Sequence, residues 1–161
     1  MEHFLIYSDG GSRGNPGPAG CGFVIKSQNP IFNFKFQISN QIKISNDKKE
    51  IHGSKYLGEM TNNQAEYNGV VAALEEIVKL LNGQIAKNNL PSIEVFLDSQ
   101  LIVEQMNGRY KIKNEGLKPL YWKIRELIMD LGSKVSFKHI PREENKHADK
   151  LVNEAIDKEL K

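Results

Sequence analysis

Tyr7-Ser8-Asp9-Gly10-Gly11-Ser12-Arg13-Gly14-Asn15-Pro16-Gly17-Pro18-Ala19-Gly20 follows the apolar run Phe4-Leu5-Ile6. An apolar run that gives way to glycine and proline reads as a buried strand breaking into a loop, with Asp9 at the break. A carboxylate closing such a strand is costly if buried without a partner, and a metal ion is one such partner. Five glycines in the eleven residues after Asp9 leave the loop short of side chains, so another backbone, such as a phosphodiester strand, can come close. The competing reading is a tight turn that Asp9 merely caps. The rest of the chain separates the two.

With 161 residues, the chain suits one domain spanning 1–161 with a full core, and is short for two. A formal net charge of +2 gives no global field for polyanions, so nucleic-acid contacts must come from local patches. The single cysteine, Cys21, excludes an internal disulfide framework and suits a reducing compartment. Its apolar and glycine neighbours make it a packed structural thiol. No apolar run long enough to span a membrane and no signal-peptide pattern occur, which points to the cytoplasm.

Cys21 to Lys26 reads as a second strand. Residues 31–45 alternate, with Phe32, Phe34, Phe36, Ile38, Ile42 and Ile44 on one parity, as one half-buried antiparallel strand or two joined near Asn40-Gln41. Asn46 to Lys49 is a turn and Glu50 to Leu57 another strand, so an extended β-hairpin occupies roughly 28–57. Thr61 and Gln64 form a capping box opening a helix, with Gly83 as its stop. Ile93 to Leu97 is a strand closed by Asp98, and a short helix runs from Ser99 to Met106. Pro119 starts a further helix that Gly132 ends. Lys134 to Ile140 is a last strand, and a C-terminal helix begins near Lys146. This order predicts an α/β fold: a five-stranded mixed sheet, three strands antiparallel and two parallel, flanked by helices.

Four acidic residues stand out in that frame. Asp9 and Asp98 end strands. Glu66, four before Val70, and Asp149, three before Val152, extend the apolar stripes of their helices rather than the wet faces. For Glu66 the alternative is an outward-facing acid favoured by the helix dipole. Ionised and gathered together, the four would repel one another, and divalent cations relieve that repulsion. An oxygen-only set favours Mg²⁺ or Mn²⁺ over Zn²⁺. Two ions roughly 3.5–4 Å apart suit in-line attack of water on a phosphodiester.

These residues resemble the motifs of a known family, ribonuclease HI, over nearly the whole chain. Asp9 with Gly10-Gly11-Ser12 and Gly14-Asn15-Pro16-Gly17-Pro18 is similar to its first catalytic strand and loop. Thr61-Asn62-Asn63-Gln64-Ala65-Glu66 resembles its helix entry, Asp98-Ser99-Gln100 its third acidic motif, and Glu144-Asn145-Lys146-His147-Ala148-Asp149 its fourth. The resemblance implies a ribonuclease H-like fold and endonucleolytic hydrolysis of the RNA strand of RNA–DNA hybrids, leaving 5′-phosphate and 3′-hydroxyl ends. It implies that Asp9, Glu66, Asp98 and Asp149 are the catalytic residues and hold two Mg²⁺ ions, with Mn²⁺ as a substitute. It further implies that Gly10, Gly11, Asn15, Asn62, Asn63 and Gln100 read 2′-hydroxyls and minor-groove edges, the feature that separates RNA from DNA. Amides suit that task because they donate and accept. Their alternative duty is in turns and caps. The family likeness also implies a monomer without membrane attachment.

The departures from the family pattern are local. Where many bacterial members carry a loop histidine before the last aspartate, this chain has Pro141-Arg142-Glu143-Glu144. Arg142 is the candidate for that role, through a guanidinium on the scissile phosphate or product. His139 falls within a strand and reads as structural, and His147 as an exposed helix-terminal residue. The family's basic protrusion is trimmed to the stretch 108–116, where Arg109, Lys111 and Lys113 would follow a DNA backbone or simply be solvated, with Tyr110 beside them. Trp122 reads as a partly covered edge residue. Two other readings stay open: a broader metal nuclease that also takes double-stranded RNA, and a hybrid-binding module without catalysis, against which the presence of all four carboxylates argues.

Overall fold

In the computed structural model, which describes residues 3–31, 42–81 and 90–161, alternating apolar side chains make one sheet. Its strands are β1 (His3–Ser12), β2 (Gly17–Ser27), β3 (Ile42–Ile44), β4 (Glu50–Met60), β5 (Ser92–Leu97) and β6 (Lys134–His139). They lie in the order β3-β4-β2-β1-β5-β6. The β3-β4-β2-β1 half is antiparallel and the β1-β5-β6 half parallel. The expected α/β mixed sheet is present, with six described strands rather than five. The extra one is β3, three residues added outside β4. Of the alternating 31–45 stretch, Ile42 and Ile44 lie in β3, while residues 32–41 fall outside the described residues, as does the Gly83 stop signal.

Four helices flank the sheet: α1 (Asn62–Leu80), α2 (Gln100–Met106), α3 (Lys118–Leu131) and α4 (Lys146–Glu159). The capping box forms as expected, since Thr61 accepts from the Gln64 amide and the Gln64 side chain accepts from the Thr61 amide. Val70, Leu74 and Ile77 of α1 are fully buried, as are Ile124 of α3 and the strand residues Ile6, Ile25, Ile51 and Val95, in one core cluster. Gly132 closes α3 at a left-handed φ of 62°. Helix α4 lies on β2 from the other side: a Cβ on Gly22 would come within 2.7 Å of Leu151 Cβ. Cys21, paired with Gly10 across β1–β2, is 1% exposed.

The reading of Asp9 as the end of a strand needs correction. Strand β1 continues to Ser12, paired with β2 as far as Ser12 opposite Ala19. What ends near Asp9 is the other partnership: β1 and β5 pair only up to Tyr7 opposite Phe96. Two residues further, the same register puts Asp9 level with Asp98, where the two strands part. Side chains two apart share a face, and Tyr7 stacks on Phe96 at 5.0 Å, so the two carboxylates continue that stack into the gap.

Candidate active site

Each of the four carboxylates arrives on a different element. Asp9 stands on β1 and Asp98 directly after β5. The second turn of α1 brings Glu66, and the first turn of α4 brings Asp149. Helix α1 can reach the site because Gly10 has no side chain: a Cβ there would sit 2.2 Å from the Ala65 carbonyl carbon and 2.4 Å from the Glu66 amide. The same helix rests on β1 at Gly69, where a Cβ would lie 2.7 Å from the Asp9 carbonyl oxygen. These glycines admit the protein's own helix. The expectation that they all open the loop to a substrate backbone is therefore corrected for Gly10, whose open side is filled by α1. At Gly11 a Cβ would find only ordinary contacts, 3.8 Å from Asn62 and Val152.

The result is an open cleft of about 580 Å³ lined by Asp9, Gly10, Gly11, Glu66, Asp98 and Asp149, with Arg13, Asn62 and Arg142 among the other lining residues. Its electrostatics centre on Asp9. Burial and then the Asp98 carboxylate push the Asp9 carboxyl up to about 8; Glu66 and Asp149 add to the rise, while the Gly10 amide, 2.9 Å from Oδ1, opposes it. Glu66 is raised to about 7 by burial and by Asp98, against a hydrogen bond from Ser99. Desolvated carboxyls in mutual repulsion favour the neutral form. The structure thus brings all four predicted acids to one cleft and leaves the charge among them uncompensated. Among the described residues, no three such groups lie close enough together to enclose a cation. The donor set is all oxygen, which suits a hard divalent ion, and its repulsion is what such an ion would relieve.

The amides divide. Asn62 lines the cleft, and its Oδ1 accepts from the Ser12 amide at 2.8 Å. Asn15 accepts from the Asn62 amide at 3.0 Å. Both thereby tie the Arg13–Pro16 turn, whose Asn15–Pro16 peptide is cis, to the start of α1, the cap duty that was their alternative reading. Asn63, half-buried in the first turn of α1, and Gln100, exposed at the first residue of α2, do not line the cleft. Arg142 is exposed at the rim in a one-turn 3₁₀ helix, Arg142–Glu144.

The histidines stay out of the cleft. His147 packs edge-on against His52 of β4, ring centroids 4.3 Å apart, and so turns away from Asp149. His139 is exposed at the end of β6, where its Nε2 lies 3.2 Å from the Asp98 carbonyl oxygen, a structural tie. In the trimmed protrusion Arg109 is held by Glu104 through contacts of 2.5 and 2.8 Å, so it is not simply solvated. Trp122 is 66% exposed, more than the partly covered edge residue expected, and meets Tyr121 edge-on.

One contributor was not singled out from the sequence. Asn145 is 1% exposed, and its Nδ2 donates to the Ser8 carbonyl at 2.9 Å and to Asp98 Oδ2 at 3.2 Å. An asparagine directly before a helix signals an N-cap. Here the side chain makes no cap hydrogen bond and points inward instead. Nothing in the local sequence separates those two uses.

Comparison with known proteins agrees with the geometry. Residues 7–155 match the model of the reverse transcriptase-like family. The chain is similar to the crystal structure of an RNase H1, isolated from compost by a metagenomic approach, in complex with an RNA/DNA hybrid: 40% identity over 98% of this chain and 99% of that one, TM-score 0.77. RNase H1 of the halophilic archaeon Halobacterium salinarum is similar at 33% identity over 97% and 98% of the two chains, TM-score 0.72. A bifunctional protein of Mycobacterium tuberculosis is 37% identical over 95% of this chain, which spans 35% of that protein's length. The match to that family over residues 7–155 and the 40% identity over nearly the whole of both chains identify the chain as a member of the reverse transcriptase-like family and, within it, of the type 1 ribonucleases H.

Proposed function

We propose that the chain, acting as a single domain over 1–161, is an endonuclease that hydrolyses the RNA strand of RNA–DNA hybrids, leaving 5′-phosphate and 3′-hydroxyl ends. The observation that carries this reading is the convergence of Asp9, Glu66, Asp98 and Asp149 on one cleft, with the central carboxyl raised to about 8. Two Mg²⁺ ions, or Mn²⁺ in their place, would be held by these four residues and would supply activation of the attacking water and stabilisation of the leaving 3′-oxygen.

The chain's own groups do the remaining work. The hydrogen bonds of Asn145 and Gly10 fix the carboxylates of Asp98 and Asp9 before any ligand arrives. Gly11 and Asn62 present small and amide surfaces along one wall, suited to a 2′-hydroxyl that both donates and accepts. Asn15, Asn63 and Gln100 extend that recognition along the two helix starts, and the Gly10 backbone lies beside Asp9. Arg142 offers a planar pair of donors to the scissile phosphate or the product. The site is complete within one chain, which suits a monomer, and the buried free thiol of Cys21 suits the reducing cytoplasm. No helix among the described residues is long and apolar enough to cross a membrane.

The test is incubation of the pure protein with labelled RNA–DNA hybrid, double-stranded RNA, single-stranded RNA and duplex DNA, with and without Mg²⁺, beside Asp9→Asn. Internal cuts in the hybrid's RNA strand alone, dependent on metal and absent in Asp9→Asn, are expected. Comparable cutting of double-stranded RNA would move the reading to a broader nuclease. Hybrid binding without cleavage in either Mg²⁺ or Mn²⁺ would leave a binding module.

A further inference from the structure

The cleft holds four carboxylates, and a nucleic acid entering it brings more negative charge. Among the described residues that line it, two are cations: Arg142, already placed at the scissile phosphate, and Arg13. Arg13 begins the turn between β1 and β2, its amide closing on the Pro18 carbonyl at 2.8 Å. Its guanidinium reaches across to α4, where it meets Asp157 Oδ1 at 2.5 Å and Asn153 Oδ1 at 3.5 Å. Both ends of the ion pair are open to solvent, with Arg13 41% and Asp157 57% exposed. An exposed pair of this kind is weak and readily exchanged, and a phosphate offers the guanidinium the same two-oxygen geometry as a carboxylate.

The position of this pair sets its distance from the chemistry. Asp149, Asn153 and Asp157 recur every four residues on one face of α4. At ~1.5 Å of rise per residue, Asp157 lies about 12 Å along the helix from Asp149. At ~3.4 Å of axial rise per nucleotide, that separation equals about three or four nucleotides of a strand running along α4.

We propose that Arg13 is a phosphate contact for the bound hybrid, several nucleotides from the scissile bond, and that Asp157 is its resting counter-ion, displaced by the substrate. This rests on the hybrid reading above. Arg13 then contributes to affinity and salt dependence and leaves the chemical step alone, while Asp157 competes with the substrate.

Binding of RNA–DNA hybrids would be measured over a range of salt in the Asp9→Asn background, where the RNA stays uncut, with thermal melting as the folding control. Arg13→Ala is expected to weaken binding about tenfold and to lower the slope of log affinity against log salt by about one. Arg13→Lys should keep the slope, and Asp157→Asn should bind as tightly as its parent or more so. Hybrids too short to reach past the cut by about four nucleotides should be indifferent to Arg13→Ala. An Arg13→Ala protein with unchanged affinity and slope would overturn the inference. So would an Asp157→Asn protein weakened as much as Arg13→Ala, because the ion pair would then be a strut. A wild-type protein that neither binds nor cuts hybrids would instead overturn the underlying function; cleavage by wild type with an inert Arg13 overturns this inference alone.

Discussion

Asn145 Nδ2 stands 3.2 Å from Asp98 Oδ2 and 2.9 Å from the Ser8 carbonyl oxygen, so one buried amide clamps β1, at Ser8, to the residue that closes β5. Its backbone carbonyl also accepts from the Asp149 amide at 3.1 Å. Asn145 thus holds the element that delivers Asp149 against the two strands that deliver Asp9 and Asp98. Both partners of its NH₂ are acceptors, which fixes the orientation of the amide.

Asn145→Ala strips the buried Ser8 carbonyl and Asp98 of a donor, at a cost of about 1–3 kcal/mol. Asn145→Asp keeps the shape but sets an oxygen against an existing carboxylate. Both are expected to lower kcat more than they raise KM, with the aspartate variant worse. Urea unfolding together with steady-state cleavage of a hybrid checks this. Full turnover in Asn145→Asp would show that Asp98 needs no such clamp.

The raised Asp9 and Glu66 carboxyls make a statement about the metal-free protein. An acid whose folded pKa lies above its unfolded value binds more protons when folded. Stability therefore falls as pH climbs from about 4, the unfolded value, through about 8 for Asp9 and about 7 for Glu66. Thermal melting in chelator should show the protein losing stability across that window. Asp9→Asn should flatten the dependence and raise Tm at pH 8 by several degrees, ~2–4 °C for each kcal/mol recovered. Mg²⁺ should raise the wild-type Tm at pH 8 and have less effect on the variant. A flat wild-type profile in chelator would contradict the crowding of the carboxyls.

Gly10→Ala and Gly11→Ala are neighbouring changes with unlike outcomes. The first puts a methyl group 2.2 Å from the Ala65 backbone, which must move and take Glu66 with it. A loss of about 1–3 kcal/mol or more is expected, as for overpacking, with severe loss of activity. At Gly11 the nearest atoms are 3.8 Å away, so the fold should melt as the parent does. Equal stability of the two proteins by chemical denaturation would contradict the close approach of α1 to β1.

Thr61→Ala removes half of the capping box at the start of α1. The expected cost is about 1 kcal/mol, by analogy with other N-cap threonines. Because Glu66 rides on the turn above, activity should fall slightly further than stability. Far-UV circular dichroism during urea titration, compared with hybrid cleavage, separates the two.

The order of elements, the capping box and the Gly132 stop were readable locally, because each depends on residues within one or two turns. So was the coreward setting of Glu66 and Asp149, since spacing from Val70 and Val152 fixes which face of a helix a residue joins. The end of β1 was not readable: glycine and proline announce a loop, yet β2 supplies a partner that keeps Gly10 to Ser12 extended. For the same reason the sequence does not show which glycines face a ligand and which face a helix. Gly10 and Gly11 are identical in chain context, and only the path of α1 distinguishes them.

The amino-acid sequence by itself determined that Asp98 closes a strand and that Glu66 and Asp149 stand near helix starts on apolar faces, because periodicity and capping are properties of neighbours. Only the tertiary structure decided that they meet in one cleft, that Asn145 turns inward instead of capping α4, that His147 turns to His52, and that Arg13 is held by Asp157. Each of those pairings joins residues far apart in the chain. The energy that selects them is burial and charge compensation between elements, to which no local stretch of sequence has access.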